Sequence, residues 1–111
     1  MNNPKFKLFS RKGNKFYFRL HATNGLIILQ SEAYNSKVAC QNGVASVKKN
    51  AADLKNFEVI KSDKGIYFKL LAGNKESIGR SEPYTRMESC KQGITSVQKN
   101  SKSGIEDLTK A

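Results

Sequence analysis

The sequence predicts an α+β fold in which two tandem β-β-β-α repeats share one antiparallel sheet, with both helices packed on one face. One observation behind this prediction is an internal repeat with a period of about 50 residues. The other is that the apolar pattern of each repeat changes from short strand-like runs to a stripe of helical period. The recurring segments include Tyr17-Phe18 and Tyr67-Phe68, Ser31-Glu32 and Ser81-Glu82, Cys40 and Cys90, and Lys49-Asn50 and Lys99-Asn100.

The predicted organisation is a single domain spanning 1–111, made of repeat one (5–50) and repeat two (56–109) joined by a linker (51–55). A chain of 111 residues can bury one modest core, whereas half of it is short for independent folding. The linker is also too short to act as a flexible tether. We therefore expect the two repeats to pack together and the fused pair to be a monomer.

Three strands are predicted in repeat one, because runs rich in aromatic and aliphatic residues alternate with polar loops. They cover residues 6–10, 16–22 and 26–30. The first loop, 11–15, is basic and contains a glycine, as is typical of a hairpin tip. The second loop contains Asn24-Gly25, which predicts a tight turn with both residues at positive φ.

Each meander is followed by a predicted amphipathic helix. In repeat one the helical spacing covers 36–49, and we expect Asn35 to cap the helix. In repeat two, Thr85 and Glu88 match the capping box. The apolar stripes of the two helices are Cys40, Gly43, Val44 and Val47, and Cys90, Gly93, Ile94 and Val97.

Repeat two repeats the strand pattern with small changes. Its predicted strands cover 57–61, 66–72 and 76–80, with a further short strand within 105–108. Its first loop is one residue shorter than the equivalent loop of repeat one.

Alternation along the strands separates a face covered by the helices from an open face. The residues predicted to face the helices are Phe16, Phe18, Leu20, Ile66, Phe68 and Leu70. Those predicted on the open face are Tyr17, Arg19, His21, Tyr67, Lys69 and Leu71, with the apolar Phe9, Ile27, Leu29 and Ile60. Gly43 and Gly93 lie on the buried helical stripes, where the absence of a Cβ allows a helix to approach the sheet closely.

The net charge of +11, from 20 Lys and Arg against 9 Asp and Glu, is the extreme value of the composition. Glu32 and Asp53 are the only acids before residue 56, so repeat one is the basic half. Such an excess favours nucleic acid, acidic proteins or an anionic surface as partners, with a basic solvated surface as the alternative.

No stretch approaches the roughly 20 apolar residues of a membrane span, and the first residues show no signal-peptide pattern. Two cysteines are also too few for a secreted disulfide framework. These features predict a cytoplasmic protein without membrane contact.

The candidate partner-binding residues are Tyr17, Arg19, Tyr67, Lys69, Arg11, Lys12 and Lys15. Aromatic rings flanked by cations on an open sheet can stack bases and neutralise phosphates. The same face suits protein contact, because it is partly apolar and the chain has no RNP-like glycine-aromatic motif. We predict a non-enzymatic module that binds a macromolecule through this face, with single-stranded nucleic acid binding as the alternative.

No catalytic, cofactor-binding or metal-binding residue is predicted. Cys40 and Cys90 are interpreted as core thiols, with a redox pair as the alternative if their helices meet. His21 is the only histidine, and neither a zinc-ligand spacing nor an oriented general base can be assembled around it.

The connectors Ser31-Glu32-x-Tyr34 and Ser81-Glu82-x-Tyr84 precede the two helices. They are interpreted as helix entries in which the carboxylate binds backbone amides and the tyrosine anchors the chain. A polar pocket at Glu32 or Glu82 is the enzymatic alternative.

The two repeats together resemble the YegP-like family of small bacterial proteins. The residues that carry the resemblance are Tyr17-Phe18-Arg19-Leu20, Ala22-Thr23-Asn24-Gly25, Ser31-Glu32-Ala33-Tyr34 and the segment from Asn42 to Asn50. The resemblance implies tandem three-strand-plus-helix units that share one sheet, with a short strand exchanged between units and dimers in single-repeat members. The family is functionally uncharacterised and supplies no site residues. Lys75, Glu76, Ser77 and Gly79 depart from its pattern, and we expect them to weaken the third strand of repeat two and its turn.

Overall fold

Seven strands form one sheet in the order β4-β5-β6-β3-β2-β1-β7 in the computed structural model, which describes residues 5–109. Residues 1–4 and 110–111, which the predicted domain includes, lie outside the described residues. The strands are β1 (Lys5–Arg11), β2 (Lys15–His21), β3 (Ile27–Ser31), β4 (Phe57–Ser62), β5 (Gly65–Leu71), β6 (Ser77–Arg80) and β7 (Ile105–Asp107). The helices are α1 (Lys37–Asn50) and α2 (Met87–Asn100), with a 3₁₀ turn at Leu54–Asn56. The predicted α+β architecture is confirmed.

The helices cover one face of the sheet, as predicted. Phe18 and Phe68 are fully buried beneath them. The ring of Tyr34 stacks on Phe18, with 6.2 Å between centroids, and its hydroxyl lies over Gly43 of α1. A Cβ on Gly43 would lie 2.7 Å from Cζ of Tyr34, so the glycine makes room for this tyrosine as well as for the sheet.

The repeats meet where β3 pairs with β6 in antiparallel register. Gln30 lies opposite Arg80, and Ser31 lies opposite Gly79. A Cβ on Gly79 would lie 2.6 Å from the backbone oxygen of Gln30, so this residue has to be glycine for the strands to approach. Leu29 occupies the equivalent position of repeat one and fills the space beside it. The departure of Gly79 from the family pattern therefore has a packing reason at the join.

The assignment of Leu29 to the open face is wrong. Leu29 is fully buried and lies opposite Leu20, and cross-strand partners share a face. The register shifts between Leu20 and His21, where Ile28 is an extra residue of β3 and Ile27 lies opposite His21. This bulge puts Ile27 and Leu29 on opposite faces although they are two residues apart.

The turn between β2 and β3 also differs from its prediction. Gly25 has φ of +85°, whereas Asn24 has no positive φ. The Gly25 N–H donates to the Ala22 oxygen at 2.8 Å, and the Asn24 side chain accepts from the Leu26 N–H at 3.1 Å. With the bulge in β3, this turn needs the left-handed conformation only at its glycine.

Helix α1 is capped one residue later than predicted. The Ser36 hydroxyl accepts from the Ala39 N–H at 3.0 Å, which is the N-cap contact expected of serine. The Asn35 side chain instead accepts from the Lys15 ammonium. Two adjacent cap-forming residues compete here, and the chain path selects the second.

Helix α2 has no side-chain cap, so the predicted capping box from Thr85 is wrong. Its N-cap residue is Arg86, whose guanidinium binds Glu88 at 3.1 Å. Glu88 is therefore engaged in an ion pair on the helix surface.

The C-terminal strand pairs with the first strand of the other repeat, as the family resemblance implies. β7 runs parallel to β1, with Ile105 opposite Phe6 and Asp107 opposite Leu8. All other pairings in the sheet are antiparallel. Asp107 also forms an ion pair with Lys37 at the start of α1, which fastens β7 to repeat one.

Candidate sheet-face interaction site

The open face of repeat one carries a cluster of two aromatic rings and two guanidinium groups, hereafter the aromatic–arginine cluster: Phe9, Arg11, Tyr17 and Arg19. Phe9 and Tyr17 are cross-strand partners on β1 and β2 and stack with 5.6 Å between ring centroids. Arg19 lies over Phe9, with 4.7 Å from Cζ to the ring centroid. Arg11 lies 5.5 Å from both centroids. These distances permit cation–π attraction, which orients both guanidinium groups.

Like charges oppose one another in this part of the sheet. Lys7 on β1 lies directly opposite Arg19 on β2, and such a pair is unfavourable for folding. Within residues 5–109, no carboxylate lies at ion-pair distance from Lys7, Arg11 or Arg19. On its other side Lys7 lies opposite Glu106 of β7, which forms an ion pair with Lys5. Arg19 instead lies between Lys7 and the uncharged Gln30, so it has no acidic cross-strand partner.

Arg19 also carries a buried side-chain nitrogen that forms no hydrogen bond with the described residues. This unpartnered Nε atom costs free energy in the folded state. Arg19 lines a small depression of about 180 Å³ with Phe9, Tyr17 and Gln30. Because Nε is buried, a partner can reach Arg19 only through the part of its side chain that lines this depression.

The open face of repeat two has the same backbone but different electrostatics. Tyr67 lies opposite Ile60, and Lys69 lies opposite Glu58. Ile60 is thus the equivalent of Phe9, and Glu58 is the equivalent of Lys7. Beside Tyr67 lies a cavity of about 420 Å³ whose lining includes Lys64, Arg80 and Glu82.

The structure brings together only part of the predicted binding set. Tyr17, Arg19 and Arg11 form one cluster, whereas Tyr67 and Lys69 lie beyond β3 and β6, about 14 Å away across three strand spacings. Lys12 lies exposed at the tip of the first hairpin, and Lys15 binds Asn35. Phe9 was predicted on the open face but is absent from the candidate binding set, and the structure places it in contact with Tyr17, Arg11 and Arg19.

The Ser-Glu-x-Tyr connectors have structural contacts. The Ser31 hydroxyl accepts from the Phe18 N–H at 2.9 Å, and the backbone of Tyr34 bonds to that of Phe16. The equivalent contacts recur in repeat two, where Ser81 accepts from the Phe68 N–H at 3.1 Å. Burial raises the pKa of both tyrosines, Tyr34 and Tyr84, so their hydroxyls stay protonated.

The glutamates of these connectors do not bind the helix amides, and that part of the prediction is wrong. Glu32 accepts from the Ser77 hydroxyl at 2.8 Å and from Arg80 at 3.3 Å. Glu82 accepts from the Gln30 side-chain amide. Both carboxylates therefore join the repeats across the β3–β6 pairing, where the strands are too short to provide many backbone bonds.

Cys40 and Cys90 are free and fully buried in the core. Burial raises the pKa of Cys40 to about 11 and raises that of Cys90 as well, so both thiols are protonated and unreactive near neutral pH. His21 contacts the Gly25 oxygen through Nδ1 at 3.1 Å. No helix within residues 5–109 is long and apolar enough to cross a membrane.

The fold and this surface define a class of small α+β proteins: two fused β-β-β-α repeats that cover one sheet face with helices and leave the other open. The chain belongs to the family described as Domain of unknown function (DUF1508), whose model matches residues 12–58 and 62–107. The match covers both repeats separately, in agreement with the internal repeat.

Curated proteins named UPF0339 are similar to this chain. One from Treponema denticola is 51% identical over 55 residues, which cover 50% of this chain and 95% of the relative. Another from Pasteurella multocida is 50% identical over 61 residues, covering 53% of this chain and 54% of the relative. The matched segment thus spans nearly all of the first relative and about half of the second.

Two solution NMR structures have the same fold. One is a protein of unknown function, yegP from E. coli, with a TM-score of 0.92, 35% identity, and coverage of 100% of this chain and 97% of that chain. The other is a UPF0339 protein from Shewanella oneidensis, with a TM-score of 0.90, 34% identity, and coverage of 96% and 92%. The resemblance to YegP-like proteins is confirmed.

Proposed function

We propose that the protein is a non-enzymatic interaction module whose open sheet face binds an anionic region of a macromolecular partner. The contact is centred on the aromatic–arginine cluster of repeat one. The observation that carries the proposal is the environment of Arg19, which is stacked on Phe9, opposed by Lys7 and unpartnered at its buried Nε. The like charge of Lys7 and the unpartnered Nε are both unfavourable for folding, as is typical of positions kept for function.

An acidic segment of a protein is the first candidate for the bound region. The aromatic rings stack on each other and on guanidinium groups, so the cations are the groups offered to a partner. Guanidinium groups bind carboxylates with paired hydrogen bonds. The apolar part of the face, including Ile27 opposite His21, adds area suited to protein contact.

Single-stranded nucleic acid is the second candidate. The observation that favours it is the combination of the Phe9–Tyr17 stack with three cations that lack an ion-pair partner within residues 5–109. Phosphates bind such cations, and bases stack on aromatic rings at sheet surfaces.

Amide NMR titrations of the labelled protein test the proposal with three probes: an oligoglutamate peptide, oligouridine RNA and oligothymidine DNA. Saturable shifts at Phe9, Tyr17 and Arg19 with the peptide support the first candidate, and such shifts with the oligonucleotides alone support the second. Both contacts weaken as salt rises, but counterion release makes the nucleic-acid affinity fall more steeply. An absence of saturable shifts with all three probes contradicts the proposal.

The matched pair Arg19→Ala and Lys69→Ala controls for the general loss of a charge, because the two residues are equivalent in the repeats. Arg19→Ala should weaken binding at least tenfold, and Lys69→Ala should have little effect. Equal losses would show that net charge alone attracts the probe.

An enzymatic site at Glu32 or Glu82 is the weaker hypothesis, because both carboxylates already have structural partners. The double change Glu32→Gln and Glu82→Gln should loosen the β3–β6 pairing without loss of binding. For the compartment we propose the cytoplasm, since two buried free thiols suit a reducing environment.

A further inference from the structure

The two outer edges of the sheet differ in whether a further strand covers them. At one edge, β7 covers β1, and Leu8 on β1 is 0% exposed. At the other edge, β4 is the last strand, and its equivalent residue Val59 is 39% exposed. A strand therefore covers Leu8, whereas no strand within residues 5–109 covers Val59, its pseudo-symmetric counterpart.

The open position is a groove between β4 and α2, hereafter the β4 groove. It has a volume of about 420 Å³. Its lining residues are Leu54, Phe57, Val59, Lys91, Ile94 and Thr95. The groove thus has an apolar floor with a lysine and a threonine at its side.

Backbone groups at this edge are also available for strand pairing. On β1, the Phe6 N–H donates to the Gly104 oxygen at 2.9 Å, and the Leu8 oxygen accepts from the Leu108 N–H at 2.8 Å. The equivalent residues of β4 are Phe57 and Val59, and the Phe57 N–H already bonds to the Leu54 oxygen. Val59, like Lys61 two residues on, points its N–H and C=O groups away from β5.

We propose that the β4 groove binds an extended segment of a partner protein, which adds to the sheet as a strand parallel to β4. Alternate apolar side chains of that segment enter the groove, and a carboxylate reaches Lys91. The contact of β7 with β1 is the precedent within the molecule, since it supplies a parallel strand and acidic side chains that reach Lys5 and Lys37. Addition of a strand to a sheet edge is a common mode of peptide recognition.

A second copy of the chain is a poorer occupant of the β4 groove. Each chain has two such edges and one β7, so transferring β7 to the β4 groove of another copy would uncover Phe6 and Leu8, which are now 0% exposed. The exchange fills one groove by opening another. A segment from a different protein avoids that loss.

The test uses the full chain and a synthetic peptide with the sequence of residues 103–109, which contains β7. We expect saturable amide shifts at Val59, Lys61 and Ile94. The change Val59→Lys should weaken this binding at least tenfold, because it places a charge in the groove. Glu58→Gln is the matched control on the same strand, and it should bind the peptide as the wild type does, since its side chain lies on the open face.

A peptide with proline in place of its glutamate should not bind, because it lacks the N–H needed for pairing. The proposal is overturned if no saturable shifts occur at the β4 groove, if the shifts map to β1 with displacement of β7, or if Val59→Lys binds normally. It is also overturned if the wild type forms a dimer that Val59→Lys abolishes, since the groove then holds a second copy. Because the β4 groove and the open face are separate, either site can fail without the other.

Discussion

The open faces of the two repeats have one backbone plan and different chemistry. In repeat one, Lys7 opposes Arg19 and aromatic rings stack beside them, whereas in repeat two Glu58 opposes Lys69. The second arrangement is the one that stability favours. The difference teaches that the scaffold does not require the cationic cluster of repeat one.

Repeat two, in turn, has the poorer local chemistry in its turn and helix start. Gly25 adopts a left-handed φ that suits glycine, and Lys75 adopts φ of +69° at the equivalent position. Ser36 caps α1, while Arg86 gives α2 no side-chain cap. Repeat one thus has the more favourable turn and helix cap, although it bears the unfavourable Lys7–Arg19 pair. Substitutions at equivalent positions of the two repeats can therefore test each of these features.

The largest expected effect comes from the glycines that the repeats share. Gly43→Ala should lower the free energy of unfolding by about 1–3 kcal/mol, because its methyl group meets the ring of Tyr34. Gly93→Ala should have a similar effect through Tyr84. Urea unfolding measures both, and the pair Gly43→Ala with Tyr34→Ala should cost less than the sum of the single changes. Additive losses would contradict the contact.

Alkaline pH should destabilise the fold because it deprotonates the buried thiols of Cys40 and Cys90. Folding raises the pKa of Cys40 from 9.0 to about 11, so its contribution is complete below pH 9 and is lost as the pH rises to about 11. Each unit of difference between the folded and unfolded pKa corresponds to about 1.4 kcal/mol of unfolding free energy. Cys40→Ala should flatten the pH dependence of unfolding more than Cys90→Ala does. A curve unchanged by Cys40→Ala would contradict the assignment.

The turn positions provide a reciprocal test of smaller size. Lys75→Gly should stabilise the protein by up to about 1 kcal/mol, because a left-handed residue other than glycine is strained. Gly25→Lys should destabilise it by a similar amount for the same reason. Thermal unfolding of the two variants checks the signs, and equal signs would contradict this account of the turns.

Substitutions at the two helix N-caps should change the free energy of unfolding by a few tenths to about 1 kcal/mol. Ser36→Ala removes a side-chain cap and should lower stability by about 1 kcal/mol. Arg86→Ser should raise stability by somewhat less, since it also removes the ion pair with Glu88. Hydrogen exchange of the first helical amides reports each change locally. Faster exchange in Arg86→Ser would contradict the expectation.

Much of the fold is predictable from the sequence, because strand alternation and helical spacing identify the core residues directly. Phe18, Phe68 and the helix stripes are buried as predicted. Leu29 was assigned to the wrong face, since the bulge at Ile28 interrupts the two-residue period and no local signal marks it. The cap at Ser36 depends on the path of the chain, which adjacent cap-forming residues leave open.

The candidate site is predictable only in part. Alternation places Tyr17 and Arg19 on the open face, but their neighbours on β1 depend on hairpin register, which brings Phe9 and Lys7 opposite them. The β4 groove has no sequence signal. It exists because β7 pairs with β1, which is distant from it in the sequence, and leaves the equivalent edge of β4 open.

The central claim is that the charge pair of repeat one serves binding at a cost in stability. The most direct measurement is Arg19→Glu, which places a carboxylate opposite Lys7 and so gives repeat one an opposite-charge pair like Glu58–Lys69 of repeat two. Urea unfolding and titration with the oligoglutamate peptide are carried out on this variant and on the wild type. We predict an unfolding free energy higher by about 0.2–1 kcal/mol together with peptide affinity at least tenfold weaker. Unchanged peptide affinity, or a less stable protein, would contradict the claim.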